Sequence, residues 1–408
     1  MTDWRLALDR CIDSRADRLR EVRRHLHVNP EPSREEYQTT RFLAERLEES
    51  GVPFSVVSSR RGILAGALDD SAGPLAAIRA DIDALPIADA KDVAYRSARD
   101  GVMHACGHDA HAAMALGAAE ALWACRGVLP APNCWRAVFQ PAEEVGEGAY
   151  EMVAAGAMAG VKAVAALHVD PERPVGRVGC RARELTAFCH DLDVVVRGVG
   201  GHAARPHLAR DPLLAACQFL TTVYQAIPRS VDSRDPTVVT FGSIQSGTNA
   251  NVIPGEAVLR GTIRTLSRQS SQRVAERLKQ IADGLGAATE TTFELSLNNC
   301  TEGVFNDPAV TALCTRAAGE VVGPENLDEI RLPSMGGEDF SGYLSLAPGC
   351  MLRLGVAGPG RAVHHLHSPS FDIDERALVL GAKILARSAV MMAHAFAGDG
   401  KDDTAAAS

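Results

Sequence analysis

The chain has 408 residues, more than one typical domain of roughly 100–200 residues, so two domains are the starting expectation. Its hydrophobic and charged fractions, 46% and 23%, are those of an ordinary globular protein and argue against a disordered or fibrous chain. A net charge of −9, an isoelectric point near 5.8 and the lack of any Lys/Arg-rich run speak against a nucleic-acid surface. Residues 1–24 are charged throughout and hold no signal-peptide core. No run approaches about 18 uninterrupted apolar residues, so no membrane span is expected. The ten cysteines follow no framework spacing, and reduced thiols in the cytoplasm are the expectation. Residues 14–50 carry helical periodicity through Leu19, Val22, Leu26, Phe42, Leu43 and Leu47, ended by Gly51. Short apolar runs at 62–66, 75–81, 135–140 and 161–169 read as buried strands, and the Ala-rich stretch 110–125 as a helix. Strands alternating with helices predict an α/β domain with a mainly parallel sheet.

The character changes near Thr186. A strand at 191–197 is followed by a helix at 211–227, with Asp211 as N-cap and Pro212 in the first helical position. Strands at 238–245 and 257–265, a helix at 270–284 and a strand at 291–297 complete a β-α-β-β-α-β order, the ferredoxin-like pattern. Residues 187–298 therefore read as a domain inserted into a discontinuous one made of 1–186 and 299–398, with 399–408 as a disordered tail.

Chemistry concentrates in a few places. Met103-His104-Ala-Cys106-Gly-His108-Asp109-Ala-His111 gathers three imidazoles, a thiol and a carboxylate at a strand-to-helix junction. Cys106 and His108, two apart, can point into one pocket, and their donors suit zinc, manganese or cobalt. Glu143 and Glu144 sit just beyond a strand that ends at Pro141, where ligands bind in open α/β sheets. Side chains one apart diverge, so one glutamate can bind metal while the other serves the water. His168, polar at the end of an apolar strand, must be hydrogen-bonded or ligated. His364, His365 and His367 form a further ligand-rich stretch. Met335-Gly336-Gly337-Glu338-Asp339 is a glycine turn followed by acids, readable also as a helix start.

Taken with Arg79-Ala-Asp81-Ile-Asp83-Ala-Leu-Pro86, Gln140-Pro-Ala-Glu-Glu144, Gly200-Gly-His-Ala-Ala-Arg-Pro-His207 and His367-Ser-Pro-Ser-Phe371, these segments occur in family order. From about residue 20 to 380 the chain resembles the aminoacylase/hippurate-hydrolase branch of the dinuclear-metal aminoacylase and carboxypeptidase family, which also holds plant auxin-conjugate hydrolases. The resemblance implies a phosphorylase/hydrolase-like metallopeptidase domain with an inserted lid and dimerisation domain. It implies two divalent ions per subunit, Mn2+ or Zn2+ with Co2+ or Ni2+ tolerated, held by Cys106 (as the bridge), His108, Glu144, His168 and His367. Glu143 would be the general base and acid, and His202 would reach the active site of the partner subunit and stabilise the oxyanion. Asn251 and Arg264 match substrate-holding positions, and Gly336 and Gly337 a substrate-binding loop. The implied reaction is hydrolysis of N-acyl amino acids by a homodimer.

Other readings carry less. Gly198-Val-Gly-Gly-His-Ala203 satisfies a dinucleotide fingerprint, but no acidic residue follows at the usual distance. No H-E-x-x-H, G-x-S-x-G or P-loop is present. A dipeptidase, carboxypeptidase or N-acetyl-diaminopimelate deacetylase would use the same machinery, and a non-catalytic metal-binding protein would not need Glu143.

Overall fold

The apolar runs of the N-terminal half pair with one another and with a strand from the C-terminal part of the chain. In the computed structural model, which describes residues 3–68, 75–131, 134–359 and 364–398, they enter one eight-stranded sheet. Its order is Phe54–Val56, Ile63–Gly66, Trp135–Gln140, Leu75–Asp81, Val161–Pro174, Gly349–Ala357, Val178–Cys180, Leu327–Glu329. The four middle strands are mutually parallel, as their near-continuous apolar character requires of strands covered on both faces. Antiparallel pairs flank them, so the sheet is mixed but mostly parallel.

The helix His108–Ala124 is Ala-rich beyond its polar first turn and buried almost throughout. Against it packs Arg376–Gly398, whose stretch Arg376–Phe396 is long and apolar enough to cross a membrane by length and composition, yet is 78% buried as a core helix. Gly381 permits that approach: a Cβ there would lie 1.9 Å from Met114 Sδ. The helical segment expected over 14–50 is broken. It forms Ala16–Val28 and Tyr37–Glu49, because Pro30 and Pro32 between them cannot continue a helix. A further helix, Trp4–Asp13, capped by the Asp3 side chain, buries Leu8 and Ile12. The tail expected at 399–408 lies outside the described residues.

The chain divides into two compact units, and the second comprises Thr186–Val304 with Pro333–Glu338. It is built as β-α-β-β-α-β: a four-stranded antiparallel sheet ordered Thr237–Ser246, Glu256–Thr265, Phe188–Arg197, Thr292–Thr301, with helices Pro212–Ala226 and Arg268–Thr289 on one face. Val194, Val196, Phe219, Leu259, Val274 and Leu278 close its core. Asp211 caps the first helix, accepting from the N–H groups of Leu213 and Leu214. This unit is wider than the expected 187–298. Its last strand stays paired as far as Thr301 opposite Cys189, and the Ala187 N–H donates to the Gly336 carbonyl, which ties residues 333–338 to it.

Candidate metal centre

The carboxyl ends of the parallel strands carry the polar residues of the first unit, where an open α/β sheet offers its crevice. Leu75–Asp81 delivers Asp81 and, just beyond, Asp83; Trp135–Gln140 delivers the Glu143–Glu144 turn; Val161–Pro174 carries His168. Between Cys106 and His108 the chain turns into a helix through Gly107 at φ +86, where a Cβ would lie 2.5 Å from Val169 Cγ2. Only glycine lets both neighbours face one pocket there.

Cys106 Sγ lies 3.5 Å from His168 Nε2. His108 Nε2 is 3.8 Å from Glu144 Oε1 and 4.0 Å from Glu143 Oε2. His367 Nε2 is 3.6 Å from the same Glu144 oxygen. The donor atoms of Cys106, His108 and His168 fall within 4.8 Å of one another, as do those of Cys106, Glu144 and His367; Cys106 is common to both groups. The structure thus brings together Cys106, His108, Glu143, Glu144, His168 and His367. His364, His365 and His367 are all exposed, and His365 Nδ1 instead lies 3.2 Å from Glu172. His367 takes φ +63 while its N–H donates to the Ala105 carbonyl.

Two of the buried imidazoles, His168 and His108, have one nitrogen fastened. His168 Nδ1 is 2.8 Å from the Val169 carbonyl, and His108 Nδ1 is 2.9 Å from the Asp83 carbonyl. A carbonyl only accepts, so Nδ1 carries a proton in both rings and Nε2 is the nitrogen that faces the cluster. His108 Nε2 and Glu144 Oε1 are buried without a hydrogen-bond partner, a costly arrangement that a cation would satisfy. Thiolate, imidazole and carboxylate together fit a borderline divalent ion. His111 differs. Its Nδ1 is 2.6 Å from Asp81 Oδ1 and its Nε2 accepts from the Val169 N–H at 2.9 Å, so both nitrogens are spent. It orients Val169, whose carbonyl in turn orients His168.

Electrostatics point the same way. Burial pushes the Glu144 carboxyl up to about 7, against the pull of His108 and with Asp83 and Asp81 adding to the rise. Burial and the Glu144 charge push the Cys106 thiol well up. Burial, then Arg353 and His111, push His168 well down. Burial also opposes protonation of His108, but Asp81, Cys106 and Asp83 together raise it. A divalent ion reverses these penalties for thiol and acid, because it binds their deprotonated forms.

Behind the donors lies a brace to which sequence reading gave no role. Arg79 is 2.6 Å from Asp81 Oδ2 and 2.8 Å from Asp339 Oδ1, and Gln140 Nε2 donates to both Asp339 oxygens at 2.8 Å. Asp83 Oδ2 accepts from the Glu144 N–H at 3.0 Å. The available signal was a charged Arg79 inside an apolar strand, which demands buried partners.

The remaining expected residues belong to the second unit. His202 pairs in register with Val252, the Ala203 N–H donates to the Asn251 carbonyl at 3.0 Å, and the Ala204 N–H donates to His202 Nδ1 at 3.1 Å. Arg264 lies 2.6 Å from Cys189 Sγ and 3.2 Å from Thr262 Oγ1. A Cβ on Gly337 would lie 2.9 Å from Thr301 Oγ1 and 3.0 Å from Cys189 Sγ, with the Arg264 guanidinium next at 3.5 Å, whereas the Gly336 N–H donates to Ser334 Oγ. His202 therefore groups with Asn251, and Arg264 with the Gly336–Gly337 turn.

Residues 77–390 match the profile of peptidase family M20/M25/M40. The chain is 36% identical over 372 residues to the N-acetyl-L-cysteine deacetylase of Bacillus subtilis, covering 90% of this chain and 86% of that one. It is 34% identical over 382 residues to the IAA-amino acid hydrolase ILR1-like 4 of Arabidopsis thaliana, covering 90% and 84%. Among solved structures, the Bacillus subtilis YXEP protein, a dinuclear metal binding peptidase from the M20 family, superposes with a TM-score of 0.79 at 32% identity, covering 94% of this chain and 99% of that one.

Proposed function

The chain belongs to peptidase family M20/M25/M40 and is a metal-dependent hydrolase of its amidohydrolase branch; on that premise we propose that it cleaves the amide bond of N-acyl amino acids. The observation that carries the reading is a set of aimed, partly unsatisfied donors with a second carboxylate, Glu143, beside them. Cys106, His108, Glu144, His168 and His367 would hold two divalent ions, Mn2+ or Zn2+ with Co2+ or Ni2+ tolerated, which when bound acidify water and polarise the scissile carbonyl. Cys106 would be the shared ligand, the position that the family resemblance gives it, and its thiol takes part in two of the donor groups.

Glu143 takes the proton of the attacking water and returns it to the leaving nitrogen, without which an amine departs poorly. His202 serves as the oxyanion donor. Because its Nδ1 accepts from Ala204, the neutral ring carries its proton on Nε2, where it can donate. Arg264 clamps the α-carboxylate of the leaving amino acid, a task suited to a guanidinium. Asn251, Gly336 and Gly337 complete the hold on the substrate. We assign a homodimer formed through the second unit, which exposes Leu213, Leu214, Tyr224, Val238 and Ile244. A cytoplasmic location fits free thiols at every cysteine whose side chain is described.

The test is a metal-reconstituted assay on a panel of N-acyl amino acids beside dipeptides. Turnover of N-acyl amino acids, abolished by chelation and restored by metal, is the expected result. Faster turnover of dipeptides replaces the reading with a peptidase, and none on either class sinks it.

A further inference from the structure

The turn that presents Glu143 and Glu144 starts at Ala142, a non-glycine residue at φ +53. L-residues rarely adopt this left-handed conformation, and it persists only where the surroundings hold it. The Ala142 carbonyl accepts from the Glu147 and Gly148 N–H groups of the turn itself, and the Ala142 N–H is held from outside by Glu36, which is fully buried. Its Oε1 accepts from the Ala142 N–H at 2.8 Å and from the Arg34 N–H at 2.9 Å, and Arg34 is itself left-handed at φ +71. The Arg34 guanidinium then pairs with Glu147, at 2.9 Å from Nε, at the far end of the same turn. Next to it, Ser33 Oγ donates to Asp83 Oδ2 at 2.7 Å, the oxygen that also accepts from the Glu144 N–H. Neighbouring residues of one segment thus grip the turn at its start, its middle and its end.

We infer that the run Ser33-Arg34-Glu35-Glu36 is a positioning brace for the Glu143–Glu144 turn, with the Glu36 carboxylate as its centre. Glu36 touches neither water nor metal in this scheme. It acts through the Ala142 N–H, setting the direction in which both following glutamates leave the backbone. Glu36 Oε2 has no hydrogen-bond partner and lies 3.7 Å from an Arg61 nitrogen, so the work falls on Oε1. Burial pushes this carboxyl up to about 7, so near neutral pH an uncharged acceptor does much of the same work.

The inference rests on Glu143 as base and Glu144 as ligand, and the experiment separates the two claims. Glu36→Met keeps volume but removes the acceptor; Glu36→Gln keeps it. We expect Glu36→Met to lower kcat by about 10–100-fold with KM nearly unchanged, and to weaken Mn2+ or Zn2+ binding, read by chelator competition, by a similar factor. Glu36→Gln stays near wild type in both. A Glu36→Met protein with wild-type metal affinity and wild-type kcat per loaded site overturns the brace, as does a Gln variant damaged equally. Should Glu36→Met not fold, Ser33→Ala reads the brace at Asp83: a lower kcat at an unchanged thermal midpoint supports it, and unchanged kcat and metal affinity overturn it. Full activity in Glu143→Gln would instead remove the role assignments themselves.

Discussion

Cys106, His108 and His168 of the first unit are sunk beneath the surface, and each imidazole has its Nδ1 fastened so that only Nε2 remains to be used. In the second unit His202 is exposed, the Asn251 backbone carbonyl accepts from the Ala203 N–H, and the Arg264 guanidinium rests on a thiol and a hydroxyl of its own sheet. The first pattern is that of a fixed receptor for an ion, whose affinity depends on aim. The second suits groups recruited by a substrate, with donors that can exchange modest partners for better ones. Changes in the first unit should therefore act on metal binding and on the proton, and changes in the second on substrate and transition state with the metal retained.

The sharpest test of that contrast is Glu143→Gln, which should lower kcat by about 10²–10⁴-fold while metal stoichiometry, measured by elemental analysis, stays at the wild-type value. Near-normal rates would remove Glu143 from the chemistry. His202→Ala should lower kcat by about 10²–10³-fold, again with full metal content. If a strictly monomeric preparation, identified by sedimentation, retains full activity, the role of His202 across subunits is wrong. Arg264→Met should reduce kcat/KM by about 10–150-fold through a lost charged hydrogen bond, and the loss should shrink for substrates whose α-carboxylate is esterified. Equal losses on both substrates would mean that Arg264 serves its own unit only.

The smallest effect tests the contrast within the first unit. His111 and His168 have ring centroids 4.8 Å apart, yet one is saturated and the other keeps a lone pair for the cluster. His111→Asn should weaken metal binding by about 10–100-fold but keep the stoichiometry at saturating metal. His168→Ala should lose an equivalent of metal outright. Identical behaviour of the two would dissolve the distinction between ligand and support.

Much of this site was legible in the chain because its parts are local. Cys106 and His108 share a pocket by a two-residue spacing, the Glu143–Glu144 pair follows a strand end, and His168 stands out as a polar side chain in an apolar run. The choice of His367 over His364 and His365 came from resemblance, and the physical reason is a backbone bond from His367 to Ala105, some 260 residues away. Glu36 was invisible: among the acids of the first 50 residues nothing local marks the one that reaches Ala142. The break between Val28 and Tyr37 was open to reading, since Pro30 and Pro32 forbid a continuous helix, but apolar periodicity on either side masked it.

Sequence by itself determined the alternation of strands and helices, the inserted β-α-β-β-α-β unit and the stock of metal-binding side chains, because each depends on residue type and short-range period. Tertiary structure alone decided which imidazole nitrogens are spent and which remain, which of three neighbouring histidines faces Glu144, and what holds the glutamate turn in its strained shape. Those are questions of partners distant along the chain, and hydrogen bonds between distant segments leave no periodic trace in either.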